Sequence, residues 1–451
     1  MPKIVFPPHN LYCMKTRIND SFSLIAGLLA ACISTETQAE WARFRGPNGA
    51  GVAPAESAPP VTWSDSENLH WRLDMPGPGS SCPVVHGDRV FITYWSGYAV
   101  DPENTGDMKD LKLHLMAVDR SSGKTVWDKT IQATLPEQDF GGMFAQHGYA
   151  SHTPTTDGKH IYAYFGKSGV YAFDWDGNQV WKAHVGDGLD SRGWGSASSP
   201  VLTNEAVIIT GAIEDQTIVA YRQSDGKVLW QRKEKNLTAM WCTPVVLDRS
   251  GKQEIAINVP KEIWGLDATT GKTLWKSSGV NSDSPTGSLT VQDDVFFAAS
   301  SRGAGSVAVK VGDSQPLWKG RDGANIQTPV VYLDRIYWIA NGSVHCQDTK
   351  TGEEIYSERL PAEEAPASSG GHGRGGRFAS MDYASPVIAN GHLYQVKRSG
   401  ETIVLKLGDR FEVVARNRFE SDRSNFSATP AISDNEMFIR SYKALYCIAK
   451  D

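Results

Sequence analysis

The sequence predicts an all-β chain, an eight-bladed β-propeller of four-stranded antiparallel blades whose ring is closed by a strand from near the N-terminus. Three observations lead there. A phrase of apolar strand, Asp, turn, Gly and then Trp recurs, as Ala117-Val118-Asp119-Arg120-Ser121-Ser122-Gly123-Lys124-Thr125-Val126-Trp127 and again as Gly265-Leu266-Asp267-Ala268-Thr269-Thr270-Gly271-Lys272-Thr273-Leu274-Trp275. The aromatic residue that ends the phrase stands at Trp127, Trp181, Trp230, Trp275, Trp318 and Tyr356, a blade-sized period. Seven apolar strands open on a small residue and Pro: Cys82-Pro83, Thr153-Pro154, Ser199-Pro200, Thr243-Pro244, Thr328-Pro329, Ser385-Pro386 and Thr429-Pro430. Pro at a strand's first residue removes no ladder hydrogen bond.

Within a unit, the opening strand leads through a turn such as His86-Gly87-Asp88 to a second strand, Arg89-Val90-Phe91-Ile92-Thr93. A third strand ends at the Asp of the phrase, and a Gly turn starts the Trp strand. The Asp is suited to bonding its own turn amides and the Gly to a positive φ. A large aromatic at a fixed blade position packs between neighbouring blades, because one blade cannot bury its own faces. Gly287-Ser288-Leu289 supplies a degenerate eighth start. The last unit, from Thr429, has no Trp strand, and Asn68-Leu69-His70-Trp71-Arg72 supplies it, which removes an open edge. The seventh unit departs from the pattern, with Gly408-Asp409-Arg410-Phe411 in place of the Gly-to-Trp phrase.

Residues 1–39 read as an export signal, 40–67 as an N-terminal extension and 68–451 as the propeller. Lys15 and Arg17 precede an apolar run over 22–33, and Thr37-Gln38-Ala39 fits a cleavage site; Met14 opens this pattern better than Met1. Leu29-Ala30-Ala31-Cys32 also fits a lipobox, which would anchor the chain through a lipid on Cys32. Both readings export the protein to the periplasm or cell envelope. The net charge is −6, and the first 39 residues carry a small positive excess, so the exported body is more acidic still. That argues against nucleic acid as a partner. Cys82, Cys242, Cys346 and Cys447 are widely spaced with no CxxC pair, so they read as buried thiols rather than a zinc or redox motif.

The repeated Asp-x-x-Thr-Gly-Lys-x-x-Trp copies resemble those of the pyrroloquinoline-quinone (PQQ)-like propeller superfamily. Trp41-Ala42-Arg43-Phe44-Arg45-Gly46-Pro47-Asn48-Gly49 resembles the N-terminal signature of exported PQQ-repeat proteins of planctomycete-type bacteria. His147-Gly148-Tyr149-Ala150-Ser151, Trp194-Gly195-Ser196-Ala197-Ser198-Ser199-Pro200 and Arg440-Ser441-Tyr442-Lys443-Ala444-Leu445-Tyr446-Cys447-Ile448 resemble further signatures of that group. The resemblance implies one of two functions. Quinoprotein dehydrogenases carry PQQ and calcium over the propeller axis, with an adjacent cysteine pair, a stacking Trp, an Asp base and calcium-binding carboxylates. Relatives of the outer-membrane assembly lipoproteins have the same blades without a cofactor.

Tested against the first chemistry, the chain has no adjacent cysteines. Trp241, at the start before Thr243-Pro244, is the first candidate for an axial cofactor-stacking residue, followed by Trp194, with His147 at the channel mouth. His147 and His152 lack a third and fourth metal ligand. Asp187, Asp190 and Asp283 form no calcium loop of known spacing, and no Gly-x-Ser-x-Gly elbow is present. No catalytic residue and no metal site are assigned. The stretch 361–380, rich in Gly and Arg, reads as a surface loop between the sixth and seventh blades. The expectation is a monomeric, non-catalytic binding or scaffold protein of the envelope, with a protein or polysaccharide partner and no cofactor; the alternative is a PQQ- and calcium-dependent dehydrogenase of an alcohol or sugar.

Overall fold

Eight four-stranded antiparallel sheets follow one another along the chain in a computed structural model that describes residues 40–300, 303–362 and 381–450. The blades span 84–132, 155–183, 201–233, 245–278, 290–320, 330–359 and 387–417, and the eighth joins 431–448 to the strand Leu69–Asp74. That N-terminal strand lies outermost in blade 8, with Trp71 opposite Cys447. The ring is therefore closed by pairing the two ends of the described chain, as the sequence predicts. The export segment with Cys32, and the Gly/Arg stretch 363–380, lie outside the described residues.

The Trp strand explains the repeat. Opposite five of the six outer-strand tryptophans the neighbouring strand holds Ala or Gly: Ala117 faces Trp127, Ala172 faces Trp181, Ala220 faces Trp230, Gly265 faces Trp275 and Ala308 faces Trp318. A Cβ on Gly265 would stand 2.0 Å from the Trp275 ring. Five of the six indole N–H groups then reach the next blade, while that of Trp275 donates to Glu254 in its own blade. Trp71 donates to the Arg120 carbonyl at 2.8 Å, Trp127 to Trp175, Trp181 to Gln223, Trp230 to Ala268 and Trp318 to Thr349. The ring also covers that blade's turn glycine. Gly123, at φ +68°, leaves 2.6 Å between a hypothetical Cβ and Trp71, so the position demands glycine for conformation and space together. Asp, Gly and Trp thus form one inter-blade joint. The Asp holds its own turn, as Asp119 does by accepting from the Ser122 amide at 2.9 Å, and the preceding blade's Trp locks onto it.

Blade 7 breaks the rule, and residues 40–67 repair it. Its Trp position holds Ala415, opposite the larger Val404. Trp63, 3% exposed, stacks on Tyr394 with ring centroids 6.4 Å apart. Tyr394 occupies the register position of Phe91 in blade 1, against which Trp127 packs at 5.9 Å. Asn417 fixes the substitute by accepting the Trp63 amide at 3.0 Å and donating to the Val61 carbonyl at 2.9 Å.

Candidate functional site

The small-residue–Pro starts build the wall of the axis. Each hydroxyl accepts the backbone N–H of the equivalent residue one blade earlier: Cys82 N–H donates to Thr153, Thr153 to Ser199, Ser199 to Thr243, Thr243 to Ser288, Ser288 to Thr328, Thr328 to Ser385 and Ser385 to Thr429, all at 2.9–3.0 Å. Thr429 closes the circle on the Cys82 thiol, whose pKa burial raises, against the hydrogen bonds from Thr153 and Thr429. The degenerate start at Ser288 takes its place without Pro, because the ring uses the hydroxyl.

Side chains two residues before this ring point to the same side, by the period of an extended chain. Ser80, Ser151, Ala197, Trp241, Thr286, Ile326, Tyr383 and Ser427 all line an axial cavity of about 1400 Å³. The lower ring is nearly uniform and the upper one varied, so the upper ring gives this cavity its chemical character.

The floor comes from the N-terminal segment. Trp41 pairs with Val85, the Ala42 carbonyl accepts from Thr156, and Arg43 donates to the Pro244 carbonyl at 2.9 Å. Arg45, fully buried, donates to the carbonyls of Pro329 at 2.9 Å and Pro386 at 3.1 Å, and to those of Gly49 and Ala50. Burial lowers the Arg45 pKa to about 9. The segment ends beside Ile388, which exchanges hydrogen bonds with Gly51 and Ala53. It crosses blades 1, 2, 4, 6 and 7, and Phe44 lines the bottom of the cavity. The signature Trp41-Ala42-Arg43-Phe44-Arg45 is a plug.

Trp194, Trp241 and His147 all face the funnel. The two indoles tilt together at 5.3 Å, and the Arg192 guanidinium lies 4.7 Å from one ring and 4.9 Å from the other. Asp190 positions this loop by accepting the Trp194 amide at 3.0 Å. Trp241 donates its indole N–H to the Gly195 carbonyl at 2.7 Å. His147 Nε2 must donate to the Trp194 carbonyl, 2.7 Å away, so its Nδ1 accepts from the Ser151 hydroxyl at 2.5 Å. Burial lowers its pKa to about 4, so the ring is neutral.

His152 turns away from His147, into a separate cavity of about 30 Å³ that Glu214, Glu137 and Ser196 also line. Its Nε2 lies 3.1 Å from the Ser196 hydroxyl, and burial lowers its pKa to about 3. Burial raises Glu214, and raises Glu137 to about 7. The two histidines therefore serve different cavities.

Sequence reasoning missed Tyr383 and Arg398 on the opposite wall. Tyr383 carried a usable signal, since it precedes Ser385-Pro386 by the offset that separates Trp241 from Thr243-Pro244. Arg398, on the turn between two blade 7 strands, carried none.

The PQQ-and-calcium set that the resemblance implies is not assembled by the described residues. Calcium takes six to eight oxygens, and no group of three or more His, Cys, Asp or Glu among the described residues is placed to share a metal ion. Cys82, Cys242, Cys346 and Cys447 are buried, separate thiols, so the described residues form no cysteine platform.

Comparison with known proteins agrees with this architecture. The chain is 23% identical, over 362 aligned residues, to a tetrathionate hydrolase of Acidithiobacillus ferrooxidans; the match takes in 72% of this chain but 64% of that longer relative. Among solved structures, the fold resembles BamB from Moraxella catarrhalis (TM-score 0.59, 12% identity, 84% of this chain and 96% of that one). It also resembles a europium-containing methanol dehydrogenase (TM-score 0.62, 10%, 91% and 98%) and a quinohemoprotein alcohol dehydrogenase from Comamonas testosteroni (TM-score 0.63, 10%, 91% and 81%). These likenesses are of fold. Residues 111–358, more than half of the sequence, match the family described as outer membrane protein assembly factor BamB. On that match and its eight repeat-built blades, the chain belongs to the BamB family of PQQ-like β-propeller repeat proteins.

Proposed function

We propose that this protein is an exported binding or scaffold protein of the cell envelope, a monomer that holds an envelope protein or polysaccharide in its axial funnel without carrying out chemistry on it. One observation carries the reading. His147, the histidine facing the funnel, has both ring nitrogens committed to the wall, by Trp194 and Ser151, and so has no lone pair to offer a substrate proton or a metal. The family description and the export signal support an envelope location. Quinone-dependent oxidation of an alcohol or sugar is the second reading, favoured by the Trp194–Trp241 pair at the axis.

The purified protein should be loaded with PQQ and calcium and assayed for dye reduction with methanol, ethanol and glucose, and separately for consumption of tetrathionate. A photo-crosslinker at Ser284, on the funnel lining, should be used in parallel on envelope fractions. The expected result is no turnover, with a crosslinked envelope component that is lost in Trp241→Ala. Dye reduction or tetrathionate consumption would overturn the binding reading.

A further inference from the structure

We propose that the funnel receives an acidic carbohydrate, a sugar ring bearing a carboxylate or sulfate, with the anionic group at Arg398 and the ring against the Trp241–Trp194 pair. This rests on the binding reading above and names the ligand class for the same cavity.

The first support is a buried charge with no carboxylate against its guanidinium among the described residues. Arg398 is 7% exposed and lines the cavity. Its guanidinium donates to the Gln146 carbonyl and the Ser427 hydroxyl, both at 3.2 Å, and lies 5.1 Å from the centre of the Tyr383 ring. All three partners are neutral. Asp382, the nearby carboxylate, accepts the backbone N–H of Arg398 instead, at 2.8 Å. Arg45 in the floor and Arg440 in the wall are also buried cations, and they too donate to carbonyl and hydroxyl oxygens. Buried charge is normally paired, and like charges around a low-dielectric cleft focus a field that gathers ions of the other sign. The lining carries Lys397, Arg398 and Arg423 against Asp283 and Asp382, a small positive excess inside a body of net negative charge.

The second support is the rest of the lining. Trp194 and Trp241 form a fixed aromatic platform, flanked by neutral amides and hydroxyls from Asn281, Ser284, Asn325, Gln327 and Asn425. An apolar plate for the C–H face of a sugar, rimmed by groups that both donate and accept, suits a polyhydroxylated ring better than an extended peptide. The two halves are joined through adjacent residues. Gln146 accepts from Arg398, and His147 bonds Trp194.

The test titrates the full-length protein with trigalacturonate and a carrageenan tetrasaccharide, using maltotriose, triglutamate and inorganic sulfate as comparators, read by tryptophan fluorescence and calorimetry. At least one acidic saccharide should bind roughly tenfold or more tighter than maltotriose, triglutamate or sulfate, since charge-assisted hydrogen bonds distinguish it. Affinity should fall with added salt and by about tenfold or more in Arg398→Gln, less in Arg398→Lys, and also in Trp241→Ala. The salt series needs no variant, so a misfolded variant leaves it intact. Saccharide binding that ignores charge, tighter binding of triglutamate, response to sulfate alone, or no saccharide binding would each overturn the proposal. If the Trp241-dependent crosslink persists without saccharide binding, only the ligand class falls; if turnover appears, the binding reading falls.

Discussion

Trp63 stacks on Tyr394, and by doing so stands where blade 7 lacks its own tryptophan. The contact joins residues more than three hundred positions apart. It replaces an intra-blade feature of the repeat with one supplied by the N-terminal segment. The same segment carries the floor plug, so one stretch of chain completes both the packing of the ring and the closure of its axis.

Truncating Trp63 should therefore cost what truncating a core aromatic costs. Trp63→Ala is expected to lower stability by about 3–5 kcal/mol, as measured by denaturant unfolding. Restoring an aromatic at the native repeat position, with Ala415→Trp and Val404→Ala added to that background, should recover part of the loss. A Trp63→Ala cost below about 1 kcal/mol would show that the stack is incidental.

The axial hydrogen-bond ring makes a second prediction with opposite signs at two members. Thr243→Val keeps the shape but removes the acceptor for the buried Ser199 N–H, so it should cost about 1–3 kcal/mol. Cys82→Ser places a hydroxyl at the one thiol position of the ring and should change stability by less than about 0.5 kcal/mol, or raise it. Equal losses from both in thermal unfolding would deny the ring its role.

Stability should depend on pH through groups working in opposite directions. His147 and His152 are held near 4 and near 3 because burial strips water from the charged ring. The unfolded chain takes up these protons first, so the stability of the neutral rings is complete above about pH 6.5 and drains as pH falls toward the folded values. Glu137, raised to about 7 by burial, contributes stability that is complete below about pH 4.5 and lost as pH rises through 7. His147→Gln should flatten the acid limb of a plot of denaturation midpoint against pH, and Glu137→Gln the limb near neutrality. Parallel curves for the wild type and both variants would refute the assignment.

The fold was legible because its joints are made from residues with few substitutes. Asp119, Gly123 and Trp71 meet at one joint, and a repeat of such joints fixes blade count and closure. The Ser/Thr–Pro starts were read correctly as strand openings, but the hydroxyl's bond to the adjacent blade spans dozens of residues and leaves no local trace. Trp241, Trp194 and His147 could be placed near the axis because they sit beside those starts. Arg398 could not, since its position depends on how a blade 7 turn meets loops from blades 1 and 8. The plug over 41–53 was visible as a signature without a location, because its partners are backbone carbonyls, which carry no residue identity.

Arg45 offers the sharpest test of that plug. Its guanidinium satisfies carbonyls of blades 6 and 7 and two of its own turn, with no carboxylate among the acceptors. Arg45→Met keeps much of the apolar stem but strands several buried acceptors at once, and each unmade bond costs about 1–3 kcal/mol. The expected result is a loss of roughly 3 kcal/mol or more, with early hydrogen exchange at the amides of Ala53 and Ile388, which tie the segment to blade 7. Arg45→Lys keeps a charge but only one donor head and should fall between. If Arg45→Met unfolds like the wild type and those amides stay protected, the floor is held by Trp41 and the backbone pairing alone, and the arginine has no part in closing the axis.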